Sequence, residues 1–287
     1  MLVFDWWRFL FTNGGENMSD TSLFGTRHLV FIAISFVLLA VTYLYSRKLT
    51  VKQCARILLY VGIVSEIVKI IYYTQANEGK WGGVLPKGDL PFHLCSIQIL
   101  FTLVVNLTTS EKLRRFIYSF MVPSCLLGGI AAILIATSSS RSTWVITFQY
   151  FLYHVAISAF ALRLLTDKEM KWRVGDMFNC FKMLLVMMFF AFYINSIVYD
   201  GVSDINFMYV ASPPQPGLPF LTEKYGWLVY IAHYAFLVVL CVVLCYLKAI
   251  IDTVKDKKAT IQAIEDAITD ESVMENLAID EAAYSEE

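Results

Sequence analysis

Long apolar segments nearly free of charge recur along this chain and restrict its fold more than any other feature. We predict seven of them, over residues 28–46, 54–74, 91–108, 115–137, 145–166, 177–199 and 226–250. At about 1.5 Å of rise per residue, each is long enough to cross the roughly 30 Å hydrocarbon core of a bilayer. Only 16% of the residues are charged, against about 25% in soluble domains. The sequence therefore predicts an all-α, polytopic membrane protein with seven transmembrane helices.

Lysine and arginine residues are distributed unequally between the two sets of segments that connect these helices. Fifteen of the 23 follow the first, third, fifth and seventh predicted helices, whereas six lie on the opposite side. Cytoplasmic loops of membrane proteins are enriched in positive charge. The asymmetry therefore predicts an N-terminus outside and a C-terminus in the cytoplasm.

Composition divides the chain into three parts, of which the middle one, residues 27–251, is the predicted seven-helix domain. Residues 1–26 include the stretch "FDWWRFLF", whose aromatic residues beside opposite charges are typical of a helix in the headgroup region. Residues 252–287 are acidic, with isoleucines at helical spacing. We predict that they form a cytoplasmic tail, partly helical and partly disordered, which is a candidate surface for a cytoplasmic partner.

Polar side chains inside the predicted helices share one depth in the membrane. With the predicted orientation they lie in the outer half or near the middle, and they are Glu66, Lys69, His93, Cys95, Gln149, His154, Asn195 and His233. Ionisable groups in lipid are costly and face the bundle interior or a water-filled cavity. The common depth predicts one polar cavity that opens to the outer face. Structural roles stay open, because Glu66 and Lys69 can pair with each other and the histidines and Asn195 can hydrogen-bond across helices.

The stretch "LPFHLCSIQIL" contains the cysteine best placed for chemistry. If Pro91 is the first helical residue, Cys95 lies about one turn inside a helix N-terminus, where the helix dipole and a nearby protonated histidine favour the thiolate. His93 lies two residues away, so on a regular helix it points to another side. His93 can act as the base only if this turn is distorted, and otherwise His154 or His233 is the better candidate.

A long segment before the last helix, "YDGVSDINFMYVASPPQPGLPFLTEKYG", is rich in proline and glycine. Its prolines exclude a regular helix. Long segments of this kind are often binding lids, and a structural plug is the alternative.

Four sequence elements in this order, "EIVK", "LPFHLCSIQ", "YHV" and "INFMYVASPPQPG", resemble the YwaF-type integral membrane proteins of bacteria. These proteins are in turn similar to the eukaryotic transmembrane-protein-164 family. The resemblance implies acyl transfer between phospholipids with Cys95 as the acyl-carrying nucleophile and His93 beside it. Asn206 and Pro213 would belong to the last element. It also implies a location in the bacterial plasma membrane.

The leading interpretation is a cysteine-dependent phospholipid acyltransferase or acyl hydrolase whose partner is membrane lipid, with no metal or other cofactor and no nucleic acid. Its candidate catalytic residues are Cys95, His93, His154 and His233. Its candidate substrate-binding residues are Glu66, Lys69, Gln149, Asn195 and Asn206. Three alternatives stay open: a transporter or binding protein, a zinc-dependent intramembrane hydrolase that draws ligands from the histidines with Cys95 and Glu66, and a sensor or partner subunit without catalysis.

Overall fold

The structure, a computed structural model, describes residues 23–76, 85–136, 143–201, 205–214, 218 and 221–284. These described residues form eight α-helices and no β-strand. The helices are α1 (Thr26–Ser46), α2 (Val51–Ala76), α3 (Gln98–Leu107), α4 (Glu111–Leu134), α5 (Trp144–Leu165), α6 (Val174–Val198), α7 (Trp227–Cys245) and α8 (Leu247–Tyr284). The prediction of an all-α fold is confirmed. Most of the predicted N-terminal segment, residues 1–22, lies outside the described residues.

Five of the described helices, α1, α4, α5, α6 and α7, are long and apolar enough to cross a membrane. The helix α2 has 26 residues but carries Lys52, Arg56, Glu66 and Lys69. The helix α3 has only 10 residues, because residues 91–97 form turns where the sequence predicted the start of a helix. The membrane class is thus supported by five spans, and the count of seven and the orientation stay predictions.

The helices α4 and α5 form the centre of the bundle. Within their most apolar stretches 61% of the residues are buried, against 22% for α1 and 11% for α6 and α7. The outer helices instead expose large apolar side chains, among them Val37, Leu185 and Leu228. Such exposed apolar faces suit contact with lipid rather than with water.

The described part of the tail belongs to one long helix, which is longer than the short helix that the sequence predicted. The helix α8 extends to Tyr284 and contains neither proline nor glycine, which would interrupt it. Pairs four residues apart support it, such as Lys248 with Asp252 at 2.5 Å. The predicted apolar stripe is exposed, with Ile261 and Ile264 more than half accessible.

The axes of α4 and α5 approach closely at Gly129. A Cβ atom added there would stand 2.1 Å from the Ser158 hydroxyl and 2.9 Å from the carbonyl oxygen of His154. A serine side chain can rotate away, but the His154 carbonyl belongs to the α5 backbone and cannot move without shifting the helix. Small residues at helix contacts allow this close approach in membrane bundles.

We predict that Gly129→Ala lowers the thermal stability of the detergent-solubilised protein, because the methyl group overpacks the α4–α5 contact at a cost of about 1–3 kcal/mol. The measurement is the melting temperature, and Gly128→Ala is the matched control. A Cβ at Gly128 meets only the end of Leu94 at 3.7 Å. Equal melting temperatures of the two variants would contradict the close approach at Gly129.

Candidate functional site

An irregular segment, residues 205–212, packs between α6 and α7 at the end of the bundle where Cys95 lies. Phe207 and Met208 are buried, and Met208 and Tyr209 have positive φ angles of 58° and 53°. Non-glycine residues adopt this left-handed conformation only where the surroundings hold them. We call this part of the chain the inserted loop.

Side chains from both neighbouring helices hold the inserted loop by its backbone. The Asn195 amide accepts from the Phe207 N–H at 2.7 Å and donates to the Phe207 carbonyl at 3.2 Å. From α7, the Tyr230 hydroxyl donates to the carbonyl oxygen of Tyr209 at 2.5 Å. Two further bonds run from Tyr234 to Met208 and from Trp227 to Val210. The strained turn is thus supported by hydrogen bonds on two sides.

Asn206 organises the loop from within. Its amide nitrogen donates to the carbonyl oxygen and the hydroxyl of Ser212, both at 2.8 Å, and its oxygen accepts from Ala211 N–H at 3.1 Å. Both predicted substrate-binding asparagines, Asn195 and Asn206, therefore bind loop backbone in the described structure. Their binding of substrate stays a prediction.

His93 lies under this loop, with its ring in a fixed position. The ring centroid is 5.1 Å from that of Phe207 and 5.6 Å from that of Tyr209. Its Nε2 is 3.1 Å from the carbonyl oxygen of Gly88. A carbonyl oxygen only accepts, so Nε2 carries the proton and Nδ1 of the neutral ring has the free lone pair. No described residue hydrogen-bonds that Nδ1, which is therefore available as a base.

Cys95 lies in the turn before α3 and not inside the helix. The helix begins at Gln98, and the bonds from Ile97 N–H to the His93 carbonyl and from Gln98 N–H to the Cys95 carbonyl mix two turn types. The prediction that Pro91 starts a helix, with Cys95 one turn inside it, is wrong. The Tyr153 hydroxyl donates to the Cys95 carbonyl at 2.8 Å and links this turn to α5.

A charged cluster adjoins both residues. The Lys69 ammonium contacts the Glu66 carboxylate at 2.8 Å and the carbonyl oxygen of Asp89 at 2.8 Å. The hydroxyl of Tyr73 donates to the Asp89 carboxylate. Lys69 also lies close enough to interact electrostatically with His93 and Cys95. The predicted pairing of Glu66 with Lys69 is present, and it is part of a larger cluster.

Uncharged polar groups continue this region into the bundle. Gln98 is fully buried, and its amide nitrogen donates to the Ser124 hydroxyl and the Leu94 carbonyl, both at 3.0 Å. The Gln98 amide oxygen is buried without a hydrogen-bond partner among the described residues. Gln149 donates to the Ser65 hydroxyl at 2.5 Å.

The other two histidines do not contact Cys95. His154 is buried in α5, and its Nδ1 lies 2.6 Å from the Tyr150 carbonyl of the preceding turn. His233 is exposed on α7 and makes no hydrogen bond to any described residue. Neither forms a hydrogen bond with the thiol in the described structure, and their convergence with Cys95 on one cavity stays a prediction. The cluster around Lys69, His93 and Cys95 is the part that the fold does bring together.

The zinc alternative lacks its ligand set in the described part of the chain. No three histidine, cysteine or acidic side chains there lie close enough together to hold a metal ion. A catalytic zinc site needs three protein ligands. His93, His154 and His233 do not form such a group among the described residues.

Comparison with known families adds one finding to this geometry. The family model described as the TMEM164 family matches residues 23–246, which span all the helices from α1 to α7 and the inserted loop. The chain belongs to the TMEM164 family. No curated protein and no solved structure matches it. Together with the apolar helices, this membership makes it a membrane protein.

The structure of this TMEM164-family chain also reveals polar residues that the sequence analysis missed. Asp89 and Tyr73 belong to the charged cluster, Tyr153 holds the Cys95 turn, and Gln98 is the buried amide. Asp89 and Gln98 flank His93 and Cys95 in sequence, and Tyr153 directly precedes His154. Proximity in sequence was therefore the available signal. Tyr73 had no such signal, because it lies on α2, 16 residues before Asp89 in the sequence.

In this TMEM164-family protein we predict that Asn195→Ala accelerates hydrogen exchange of the inserted loop. The change removes both bonds to Phe207, and a lost backbone partner leaves the amide free to open. The measurement is exchange mass spectrometry of peptides covering 205–212, with an expected increase of about tenfold in the exchange rate. Tyr193→Ala is the control, because Tyr193 is 70% exposed on the same helix. Equal exchange rates of the loop peptides in the two variants would contradict the proposed role of Asn195 in holding the loop.

Proposed function

We propose that this membrane protein transfers or hydrolyses an acyl chain of a phospholipid through a thioester at Cys95. The observation that carries the proposal is the turn at residues 93–97, which places a thiol and a histidine with a free Nδ1 beside one charged cluster. Membership of the TMEM164 family supports it, since the resemblance of the sequence to this family implies a cysteine that carries the acyl group.

The first step is attack of the Cys95 sulfur on the carbonyl carbon of the lipid ester. As the C–S bond forms, the thiol proton passes to Nδ1 of His93, and collapse of the tetrahedral intermediate breaks the bond to the glycerol oxygen. His93 then returns the proton to that oxygen, which leaves as the hydroxyl of a lysophospholipid. Apo structures often show such pairs further apart than in the substrate complex.

The second step releases the acyl chain from Cys95. An acceptor hydroxyl, from another lysophospholipid in transfer or from water in hydrolysis, gives its proton to His93 and attacks the thioester carbonyl. The C–S bond breaks, and His93 returns the proton to the departing sulfur. The acceptor therefore decides whether the protein is a transferase or a hydrolase.

The Lys69 cluster is proposed to bind the lipid phosphate. A lysine ammonium has three N–H donors, and here two of them bond Glu66 and Asp89. The third has no partner among the described residues and remains for a ligand. Gln149 extends this polar surface. Asn195 and Asn206 would contribute by holding the loop against His93. His154 and His233 are the alternative bases, and the mechanism with His93 as the base requires neither.

We further propose the finer topology. With α2 and the unit of turn and α3 counted as spans, seven segments cross the membrane, and the N-terminus lies outside. This topology puts Cys95 near the depth of the ester bonds of the outer leaflet. The same proposal divides the chain into residues 1–26, 27–251 and 252–287 and gives α8 a cytoplasmic partner. It also assigns the chain to the YwaF-type proteins and to the bacterial plasma membrane.

We predict that Cys95→Ser abolishes formation of the acyl-enzyme, because a serine at this position is a far weaker nucleophile than a thiol. The purified protein is incubated with phosphatidylcholine, and intact mass spectrometry detects the added acyl chain, which neutral hydroxylamine removes. Cys125→Ala and Cys241→Ala are the controls and should keep the adduct. An adduct on folded Cys95→Ser, or none on the wild type with any phospholipid, would exclude the thioester mechanism.

We predict that His93→Ala lowers lipid turnover by about 10²- to 10⁴-fold, the range for loss of a general base. His233→Ala should keep wild-type turnover, because its side chain is exposed on α7 and makes no hydrogen bond to Cys95 in the described structure. The measurement is the rate of lysophospholipid release at saturating lipid, with gel filtration to verify folding. Loss of activity in His233→Ala with full activity in His93→Ala would show that His233, and not His93, is the general base.

A further inference from the structure

A cleft of about 600 Å³ opens at the end of the bundle opposite Cys95. Cys95 precedes α3, whereas the cleft lies beside the connection that follows α3 and between the α1–α2 and α5–α6 connections. Its volume falls within the range of about 300–1,000 Å³ that is typical of small-ligand sites. We call it the basic cleft. Its six cationic side chains are Arg47, Lys48, Lys52, Arg114, Arg163 and Lys168.

Arg163 belongs to the frame of the basic cleft. Its guanidinium donates to the carbonyl oxygens of Ser46 at 3.2 Å and Leu49 at 3.0 Å, and it forms an ion pair with Asp167. Burial favours the protonated form of Asp167, but hydrogen bonds from Arg163 and two backbone N–H groups outweigh it and keep the pKa of Asp167 below its usual value. Asp167 therefore stays ionised and neutralises Arg163.

Arg114 has the same role on the other side of the cleft. It donates to the carbonyl oxygens of Val105 at 3.3 Å and Thr108 at 2.6 Å, and it pairs with Glu111. These bonds shape the end of α3 and the start of α4. Each of these two partly buried arginines thus has its own carboxylate, and neither adds net charge to the cleft.

The remaining charges are unbalanced. Arg47, Lys48, Lys52 and Lys168 are exposed, and none of them forms an ion pair within the described part of the chain. Of the three acidic residues that line the cleft, only Glu169 is left without a cationic partner there. Four positive charges therefore face one negative charge around a single cleft, which is an electrostatic environment suited to an anion.

Tyr118 is the second, independent observation. Its side chain lines the basic cleft although the residue is only 3% exposed. Its hydroxyl forms no hydrogen bond with any described residue. The hydroxyl oxygen is not fully enclosed by protein, so it faces the cleft, where a ligand can accept its hydrogen bond. The cleft thus has an open hydrogen-bond donor at its floor as well as positive charge at its rim.

The general enrichment of lysine and arginine in cytoplasmic loops explains why these connections are basic. It does not explain why they enclose a cleft, why the carboxylates pair with the two structural arginines, or why a hydroxyl is left free at the floor. We propose that the basic cleft binds an anion that carries a phosphate group, held by the rim cations and by the Tyr118 hydroxyl. Basic pockets between membrane helices bind phosphate headgroups in this way.

The test uses the full chain purified in neutral detergent and two probes, phosphatidylglycerol and inorganic pyrophosphate. Native mass spectrometry measures lipid binding, and a thermal-shift titration measures pyrophosphate binding. The cleft variant combines Arg47→Gln, Lys48→Gln, Lys52→Gln and Lys168→Gln. The control variant combines Lys112→Gln, Lys171→Gln, Lys255→Gln and Lys258→Gln, which removes the same charge from exposed lysines that do not line the cleft.

We expect at least one probe to bind the wild type and the control variant alike, and to bind the cleft variant about tenfold or more weakly. Tyr118→Phe, which deletes only the unpartnered hydroxyl, should weaken binding about tenfold at constant melting temperature. Binding of the lipid alone identifies a headgroup as the source of the phosphate, and binding of pyrophosphate alone identifies a soluble ligand. The proposal fails if neither probe binds, if cleft and control variants bind equally, or if Tyr118→Phe binds like the wild type.

Discussion

Irregular backbone in an apolar environment must receive its hydrogen bonds from the protein itself, because lipid supplies none. This constraint accounts for several polar side chains of the described helices. The turn before α3 is bonded by Tyr153 and the inserted loop by Asn195. At the other end of the bundle, Arg163 bonds the connection after α1 in the same way.

The same constraint separates structural from reactive polar groups. A side chain that both donates to and accepts from the inserted loop has little capacity left for a substrate, and Asn195 and Asn206 are in this position. His93 differs, because its bond to Gly88 uses only one ring nitrogen and leaves the other with a free lone pair. Lys69 likewise keeps one donor. The candidate chemistry therefore belongs to two groups that bond no described residue, which are Nδ1 of His93 and the third N–H of Lys69.

The two ends of the bundle use charge differently. Near Cys95, the ammonium of Lys69 and the carboxylates of Glu66 and Asp89 form a compact cluster in which Lys69 pairs with Glu66 and the hydroxyl of Tyr73 bonds Asp89. At the basic cleft the structural arginines are neutralised, and the exposed rim stays positive. One end is therefore suited to a reaction within the membrane surface, and the other is suited to attract a soluble or headgroup anion.

The apolar segments of the sequence determined the all-α membrane class and the approximate position of every helix from α1 to α7, because burial in lipid demands a long uninterrupted apolar run. The same pattern could not place the start of α3. Pro91 is compatible with a helix start, but the chain forms a turn there, and Tyr153, 58 residues further on, bonds the Cys95 carbonyl of that turn. Whether His93, His154 and His233 converge was also beyond the sequence, since depth in the membrane does not define the direction in which a side chain points around its helix. Packing of α5 and α7 decided the surroundings of the last two, burying His154 with its ring bonded to the Tyr150 carbonyl and leaving His233 exposed.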